Sequence, residues 1–393
     1  MSTRGQHVRL ATRGSDLARR QAATVKGLLE GRRFEVSLVD VETEGDRVRD
    51  ELIHRLGRKG AFVRSLDERV LNGDLDAAVH SMKDMPTESP PELVVAGVPE
   101  RATPGDVLVT PDGTGLPDLP EGAAVGTSSL RRQAQLLATR PDLEVKPLRG
   151  NVDTRVEKLL APHRQREHQR RLDTEEAESN DEAGGNDGGE TDSDGADGDE
   201  DAPAFERTAQ EWFEDLSPIE QRALGREVDV EYDAIVLAAA GLDRIGLAHH
   251  VDTQELPTAE FVPSPGQGAL AVTAREGEFA AAINDAIDHP RTRVETTTER
   301  VVLKELGGGC IAPIGVYALV QGEYVRVIVS VQSVDGTEEV SVSRDVPIER
   351  HPDAARDLGA DLREQGAAEL IDAAREREGN AATAGPGETD AVR

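Results

Sequence analysis

Seven cationic side chains, Arg13, Lys83, Arg131, Arg132, Arg149, Arg155 and Arg244, fall where the hydropathy pattern passes from strand to helix. Guanidinium groups meet carboxylates and phosphates as bidentate forks, so this many at such junctions predict a ligand with several anionic groups. The segment Ser128-Ser129-Leu-Arg131-Arg132 is the most telling, because cations disfavour the positive end of a helix dipole. A bound anion, held by backbone N–H groups, serine hydroxyls and guanidinium forks together, resolves that conflict. Arg149-Gly-Asn-Val-Asp-Thr-Arg155 repeats the arrangement, and Arg13-Gly-Ser15 places an arginine beside a helix-capping serine. Asp84, next to Lys83 in His80-Ser-Met-Lys83-Asp84-Met-Pro86, is the lone acid of the set. Its neighbours keep it ionised, which suits it to stabilise a developing cation or relay a proton. No Gly-x-x-x-x-Gly-Lys-Ser/Thr loop is present, which argues against a nucleoside triphosphate.

Cys310 is the sole cysteine. It follows three glycines and precedes Pro313, so the backbone turns there, just past a helix expected over 292–306. A lone cysteine is ordinarily a small buried hydrophobe. A chemical role needs surroundings that favour the thiolate, and the cationic set above is such a setting.

The elements that must position these groups can be read in order. Strands are expected at Val8 to Thr12, Glu35 to Val41, Asp76 to Val79 and Leu93 to Gly97, with a helix carrying Phe62, Leu66 and Val70 on one face. A second set covers Val107 to Thr110, Ala123 to Thr127, Leu143 to Leu148 and Tyr232 to Gly241. Val262-Pro-Ser-Pro-Gly266-Gln-Gly268 then leads back to a strand at Ala269 to Ala274 and a helix at Glu278 to Ile287. Open α/β sheets bind ligands at the carboxyl ends of their strands, so two such units face to face gather the cations around one cleft. Beyond Cys310, Val316 to Val320, Tyr324 to Gln332 and Glu338 to Arg344 alternate as antiparallel strands with Asp335-Gly336 as a hairpin turn. One amphipathic helix is expected from Asp353 to Arg375.

Net charge is -31, from 76 acidic and 45 basic residues, only six of them lysine. A surface this acidic repels nucleic acid and anionic membranes and fits a salty cytoplasm, where screening suppresses self-repulsion. A single cysteine fits a reducing compartment, and no signal peptide or membrane helix is read from the sequence, so a cytoplasmic protein is expected. Asp173 to Asp201 holds fourteen acidic and no basic residues, so a largely disordered insertion is expected at about 161–230. Within it, Ser217-Pro-Ile-Glu220 reads as a capping box.

Eight pieces in order resemble the porphobilinogen deaminase (hydroxymethylbilane synthase) family: Ala11-Thr-Arg13-x-Ser15-x-Leu17-Ala18, Lys59-Gly-x-Phe62, His80-Ser-Met-Lys-Asp84, Val125-Gly-Thr-Ser-Ser-Leu-Arg-Arg-Gln133, Leu148-Arg-Gly-Asn-Val-x-Thr-Arg155, Tyr232-Asp-Ala-Ile-x-Leu-Ala-x-Ala-Gly-Leu-x-Arg244, Gly266-Gln-Gly268 and Gly308-Gly-Cys310-x-x-Pro-Ile-Gly315. The resemblance implies two doubly wound, periplasmic-binding-protein-like α/β domains around a cleft and a small C-terminal α+β domain with an antiparallel sheet. The expected division is 1–100 with 261–288, then 101–260 with the insertion, then 289–378, and a disordered tail at 379–393. It implies head-to-tail condensation of four porphobilinogen molecules into a linear tetrapyrrole with release of ammonia, in a monomeric enzyme with no metal. By the same resemblance Cys310 holds a dipyrromethane cofactor through a thioether, and Asp84 is the catalytic carboxylate. Lys83, Asp84, Ser129, Arg131, Arg132 and Arg155 would bind that cofactor. Arg13, Ser15, Arg149, Arg155 and Arg244 would hold substrate carboxylates, with Lys59 and Phe62 in a loop over the cleft. Departures from the pattern are Asp16 for a proline, Glu44 for a basic residue and Ala312 for a branched one. A two-domain ligand receptor would share this fold without needing Cys310.

Overall fold

The computed structural model describes residues 5–41, 61–184, 205–307 and 312–383. Three sheets organise them. In the first, β1 (Gln6–Arg13), β2 (Phe34–Val41), β3 (Ala77–Ser81) and β4 (Leu93–Gly97) are joined by a strand from far along the chain. In the second, β5 (Asp106–Thr110), β6 (Ala124–Gly126), β7 (Glu144–Lys146), β8 (Ala234–Ala238) and β9 (Asp252–Glu255) lie in the order β7-β6-β8-β5-β9. The late strand of the first sheet is β10 (Leu270–Arg275), giving β2-β1-β3-β10-β4. The two orders are equivalent: in each sheet one strand laid down directly after a crossing runs antiparallel to its neighbours. The crossing segments are therefore 98–105, from β4 into β5, and 256–269, from β9 into β10.

Both large sheets are covered on two faces, as parallel strands require. Val8, Leu10, Val272 and Ile283 pack on one face of the first with Ala22, Val25 and Leu29, which recur at helical spacing in Asp16–Glu30. Ala11, Ala78, Leu66 and Val70 fill the other. The third sheet is a meander of β11 (Ile314–Gln321), β12 (Tyr324–Gln332) and β13 (Glu339–Pro347). Its inner face, Val316, Val327 and Val329, packs with Val302 of helix Pro290–Glu305 and Leu358 of helix His351–Leu362. Gly336, at φ 71, turns the hairpin where a side chain would run into the backbone of Ala134 and Ala138 on helix Leu130–Thr139. That close approach joins the C-terminal sheet to the second large one.

Several expectations need correction. The strand expected over 143–148 is only three residues long, and the one over 232–241 stops at Ala238. The latter strand is parallel to β6 but antiparallel to β5, and helix Ala239–Arg244 follows at once. The single final helix is broken at Gly366, whose φ is 109, into His351–Leu362 and Ala368–Thr383 with a wider turn between them. Of the insertion, 161–184 and 205–230 are described and are largely ordered, and the acid-rich residues 185–201 lie outside the described residues. One helix runs from Val152 through Pro162 to Gly184, and Ala209–Asp215 and Pro218–Leu224 pack on it. Polar contacts order this region as much as apolar ones do. Arg164 pairs with both Glu167 and Glu220, and Glu157 receives Arg222 and Arg226. Gln165 donates to the carbonyls of Leu224 and Arg226, and the capping box at Ser217 forms. Arg171 lies over Phe205 at 4.2 Å and Trp212 at 5.1 Å. Among the described residues the basic run pairs with carboxylates of its own helix and of 218–231.

Candidate active site

The first sheet presents its groups at the ends of β1 and β3. Arg13 closes β1, and the Ser15 hydroxyl accepts from the Ala18 N–H, capping helix Asp16–Glu30. β3 runs into a single 3-10 turn, Met82–Asp84, closed by the Met85 N–H donating to the Met82 carbonyl at 3.2 Å. The Met82 N–H reaches Ala269 at the other crossing (3.0 Å). Gly266, at φ 74, lies so close that a side chain there would collide with Met82. Asp84 is exposed and Lys83 half-buried. Behind them His80, Asp67 and Thr273 form a buried set: His80 Nε2 is 2.9 Å from Asp67 Oδ1 and 3.1 Å from Thr273 Oγ1.

The second sheet presents Ser129, Arg131 and Arg132 on the first turn of Leu130–Thr139. Ser129 is the N-cap and makes no side-chain cap bond. Both arginines are buried, and one carboxylate serves them. Asp106, at the start of β5, accepts from Arg131 Nη2 at 2.7 Å and from Arg132 Nη2 at 2.7 Å. Gln267 Nε2 adds a third donor at 2.8 Å. Burial opposes ionisation of Asp106, but the two guanidiniums outweigh it and hold the carboxyl far below the usual range. Arg131 also donates to Gln135 and to the Val262 carbonyl, and Arg132 to the Val236 carbonyl.

The two rims meet electrostatically. Burial, aided by Arg132 and Arg131, pushes the Lys83 amine down to about 8 against the pull of Asp84 and Asp106. Burial, then Arg132 and Arg149, pushes Arg155 down to about 10. Lys83, Asp84, Arg131, Arg132, Arg149 and Arg155 therefore share one field, with Asp106 embedded in it. Arg155 Nε donates to the Gly150 carbonyl at 2.9 Å. Arg244 sits at the far end of its short helix, donating to the Gly268 carbonyl at 2.7 Å, and Arg20 reaches back to the Arg244 carbonyl. Cys310 and Lys59 lie outside the described residues. Phe62 belongs to helix Ala61–Leu71.

Sequence reasoning passed over Asp106, Glu299, Arg101 and Arg300. Glu299 is fully buried and accepts from Arg101 Nη1 at 2.7 Å, the Gly266 N–H at 2.6 Å and the Ala318 N–H at 2.9 Å. A pair of adjacent charges, Glu299-Arg300, on a helix side flanked by Thr296 and Val302 was the available signal.

Two equivalent sheets, their crossings held together and a cationic rim facing an exposed carboxylate, define a cleft protein for a small polyanion. The comparisons with known proteins make this particular. Residues 8–166 and 219–282 match the model described as porphobilinogen deaminase, dipyromethane cofactor binding domain, and 294–367 match the porphobilinogen deaminase C-terminal domain. A probable porphobilinogen deaminase of Halobacterium salinarum is 56% identical over 390 residues, covering 94% of this chain and 98% of the relative. The probable enzyme of Methanococcoides burtonii is 37% identical over 92% of this chain and 95% of its own. The porphobilinogen deaminase of Acidothermus cellulolyticus is 34% identical over 94% and 92%. The chain belongs to the porphobilinogen deaminase family. Its activity is that of a transferase of tetrapyrrole biosynthesis, joining four porphobilinogen molecules into hydroxymethylbilane with release of ammonia. The segment between the two matched stretches, 167–218, lies within the insertion.

Dipyrromethane, the cofactor named for the matched domain, fits the groups present. Beyond burial, Arg132 and Arg131 disfavour the proton on Lys83, where Asp84 and Asp106 oppose them, and Arg132 and Arg149 disfavour the proton on Arg155. Carboxylate side chains on a bound group would supply the missing negative charge.

Proposed function

We propose that Asp84 is the catalytic carboxylate of the condensation and that Cys310 carries the dipyrromethane through a thioether. The observation that supports this most is the exposed Asp84 beside Lys83, whose amine burial pushes down to about 8, within a field of arginines. When bound, the cofactor supplies the nucleophilic pyrrole carbon from which the chain grows. Asp84 accepts hydrogen bonds from pyrrole N–H groups and offsets the positive charge that develops as the aminomethyl C–N bond breaks and ammonia departs. The attacking pyrrole carbon bonds to the methylene that lost ammonia and then gives up its proton, which Asp84 takes in this reading. Lys83, Ser129, Arg131, Arg132 and Arg155 bind the cofactor's carboxylates. Arg13, Ser15, Arg149, Arg155 and Arg244 orient those of porphobilinogen, and Lys59 and Phe62 cover the cleft.

In this reading the enzyme is a cytoplasmic monomer with no nucleic-acid partner. It is divided into 1–100 with 261–288, 101–260, and 289–378 carrying Cys310, followed by a tail at 379–393. No helix among the described residues is long and apolar enough to cross a membrane. The test is intact mass. Purified protein is expected to weigh more than its polypeptide by two linked pyrrole units, on the Cys310 peptide, and Cys310→Ala is expected to lose them. A bare mass that stays bare after porphobilinogen is added would overturn the reading.

A further inference from the structure

The geometry points to Arg300, on helix Pro290–Glu305, as the positioning residue that holds the catalytic turn. Its guanidinium takes three main-chain carbonyls on either side of Lys83 and Asp84. Nη1 donates to Met82 at 3.4 Å and to Met85 at 3.3 Å, and Nη2 donates to Pro86 at 2.5 Å. Among the described residues no carboxylate pairs with it. A largely buried guanidinium that meets only carbonyls is costly to hold, so its contribution is to the shape of the turn.

The preceding residue works on the opposite wall. Glu299 accepts from the Gly266 N–H, and Gly266 is the residue packed against Met82. Consecutive side chains of one helix thus hold the turn and the segment behind it. The same helix ends at Glu305, five residues beyond Arg300, where the chain leads through Gly307 toward Cys310. At 1.5 Å per residue that is roughly 7.5 Å along a stiff rod. One helix therefore sets both where the Asp84 turn stands and where the Cys310 loop begins. Each condensation needs the carboxylate in register with a group tethered at that loop, and a misplacement of about 1 Å can cost about 100-fold. Arg300 acts through the turn, and the inference rests on the reading of Asp84 and Cys310 given above.

The experiment uses primed enzyme, checked by intact mass, of wild type, Arg300→Ala, Arg300→Lys and, in parallel, Asp84→Asn. Readouts are kcat and KM for porphobilinogen and amide hydrogen exchange across residues 81–88. Arg300→Ala is expected to lower kcat by about 10- to 100-fold with KM little changed. Exchange should quicken across 81–88 while the strand 324–332 keeps its protection. Arg300→Lys, which can still donate to one or two of the carbonyls, is expected to recover part of kcat and of the protection. Full kcat in Arg300→Ala overturns the inference, as does unaltered exchange across 81–88. If Arg300→Ala fails to fold, Arg300→Lys decides: partial kcat with a loosened turn supports the role, and wild-type behaviour in both overturns it. Turnover retained in Asp84→Asn would sink the reading of Asp84 alone, leaving the exchange result to judge Arg300.

Discussion

The two large sheets share one strand order but secure their functional ends by different chemistry. Behind the end of β3 stands a small buried set, His80, Asp67 and Thr273, that binds three elements together and leaves Lys83 and Asp84 outside it. At the start of the helix after β6, the charged groups themselves are built into the scaffold, with Asp106 accepting from Arg131, Arg132 and Gln267. The lesson is a division of labour. The first sheet offers a carboxylate and an amine with no internal partner among the described residues, suited to meet changing charge. The second offers a fixed positive wall whose direction is set before any ligand arrives.

The largest effect should come from removing the counter-charge of that wall. Asp106→Asn leaves two buried guanidiniums uncompensated and is expected to cost about 3–5 kcal/mol, read as a fall in the urea midpoint. Asp67→Asn removes only part of a hydrogen-bonded set and is expected to cost about 1–3 kcal/mol. Equal losses would erase the distinction. The pH dependence sharpens it. Asp106 has a folded-state value below its unfolded one, so its stabilisation is present above the ordinary carboxylate range near pH 4. It is lost as pH falls below that range, and Asp106→Asn should lack that part of the acid transition.

A smaller effect concerns the first sheet. Lys83 keeps its proton below about 8, so its hold on the cofactor's carboxylates, against which porphobilinogen is bound, should weaken as pH rises through that value. KM for porphobilinogen is expected to climb across this range in the wild type, and Lys83→Gln should remove the inflection while raising KM throughout. A KM independent of pH between 7 and 9, values chosen about one unit either side, would place Lys83 with the fixed wall instead.

The smallest effect lies in neither rim. Arg171→Ala removes the cation over Phe205 and Trp212 and should lower the stability of the helical insertion by about 0.5–2 kcal/mol, seen in tryptophan fluorescence on heating. Turnover should not move. A change in kcat would tie the insertion to the cleft.

Much of this was legible in the sequence where local rules and tertiary packing agree. The helix Glu278–Ile287 and the strand Tyr324–Gln332 appear with the expected bounds, because apolar periodicity and turn residues point the same way. The junction cations were legible because their charge conflicts with the helix ends they occupy. Asp106 was not, since an aspartate after Pro104-Gly105 reads as an ordinary polar strand start until its partners, 25 and 26 residues on, are folded against it. The order of the described flanks of the insertion, 161–184 and 205–230, was hard to read for a related reason. That order rests on Arg164–Glu220 and on glutamines bonded to helix-end carbonyls, contacts that hydropathy does not register. Gly366 was passed over because a glycine within an amphipathic pattern is tolerated in many helices, and only its positive φ exposes the break.

Both segments that cross between the large sheets run past Glu299: Arg101 belongs to one and Gly266 to the other. The same carboxylate holds β11 through the Ala318 N–H. In mechanical terms one buried carboxylate is the joint at which both crossing segments and the C-terminal sheet meet, so any change of angle between the two large sheets would have to pass through it.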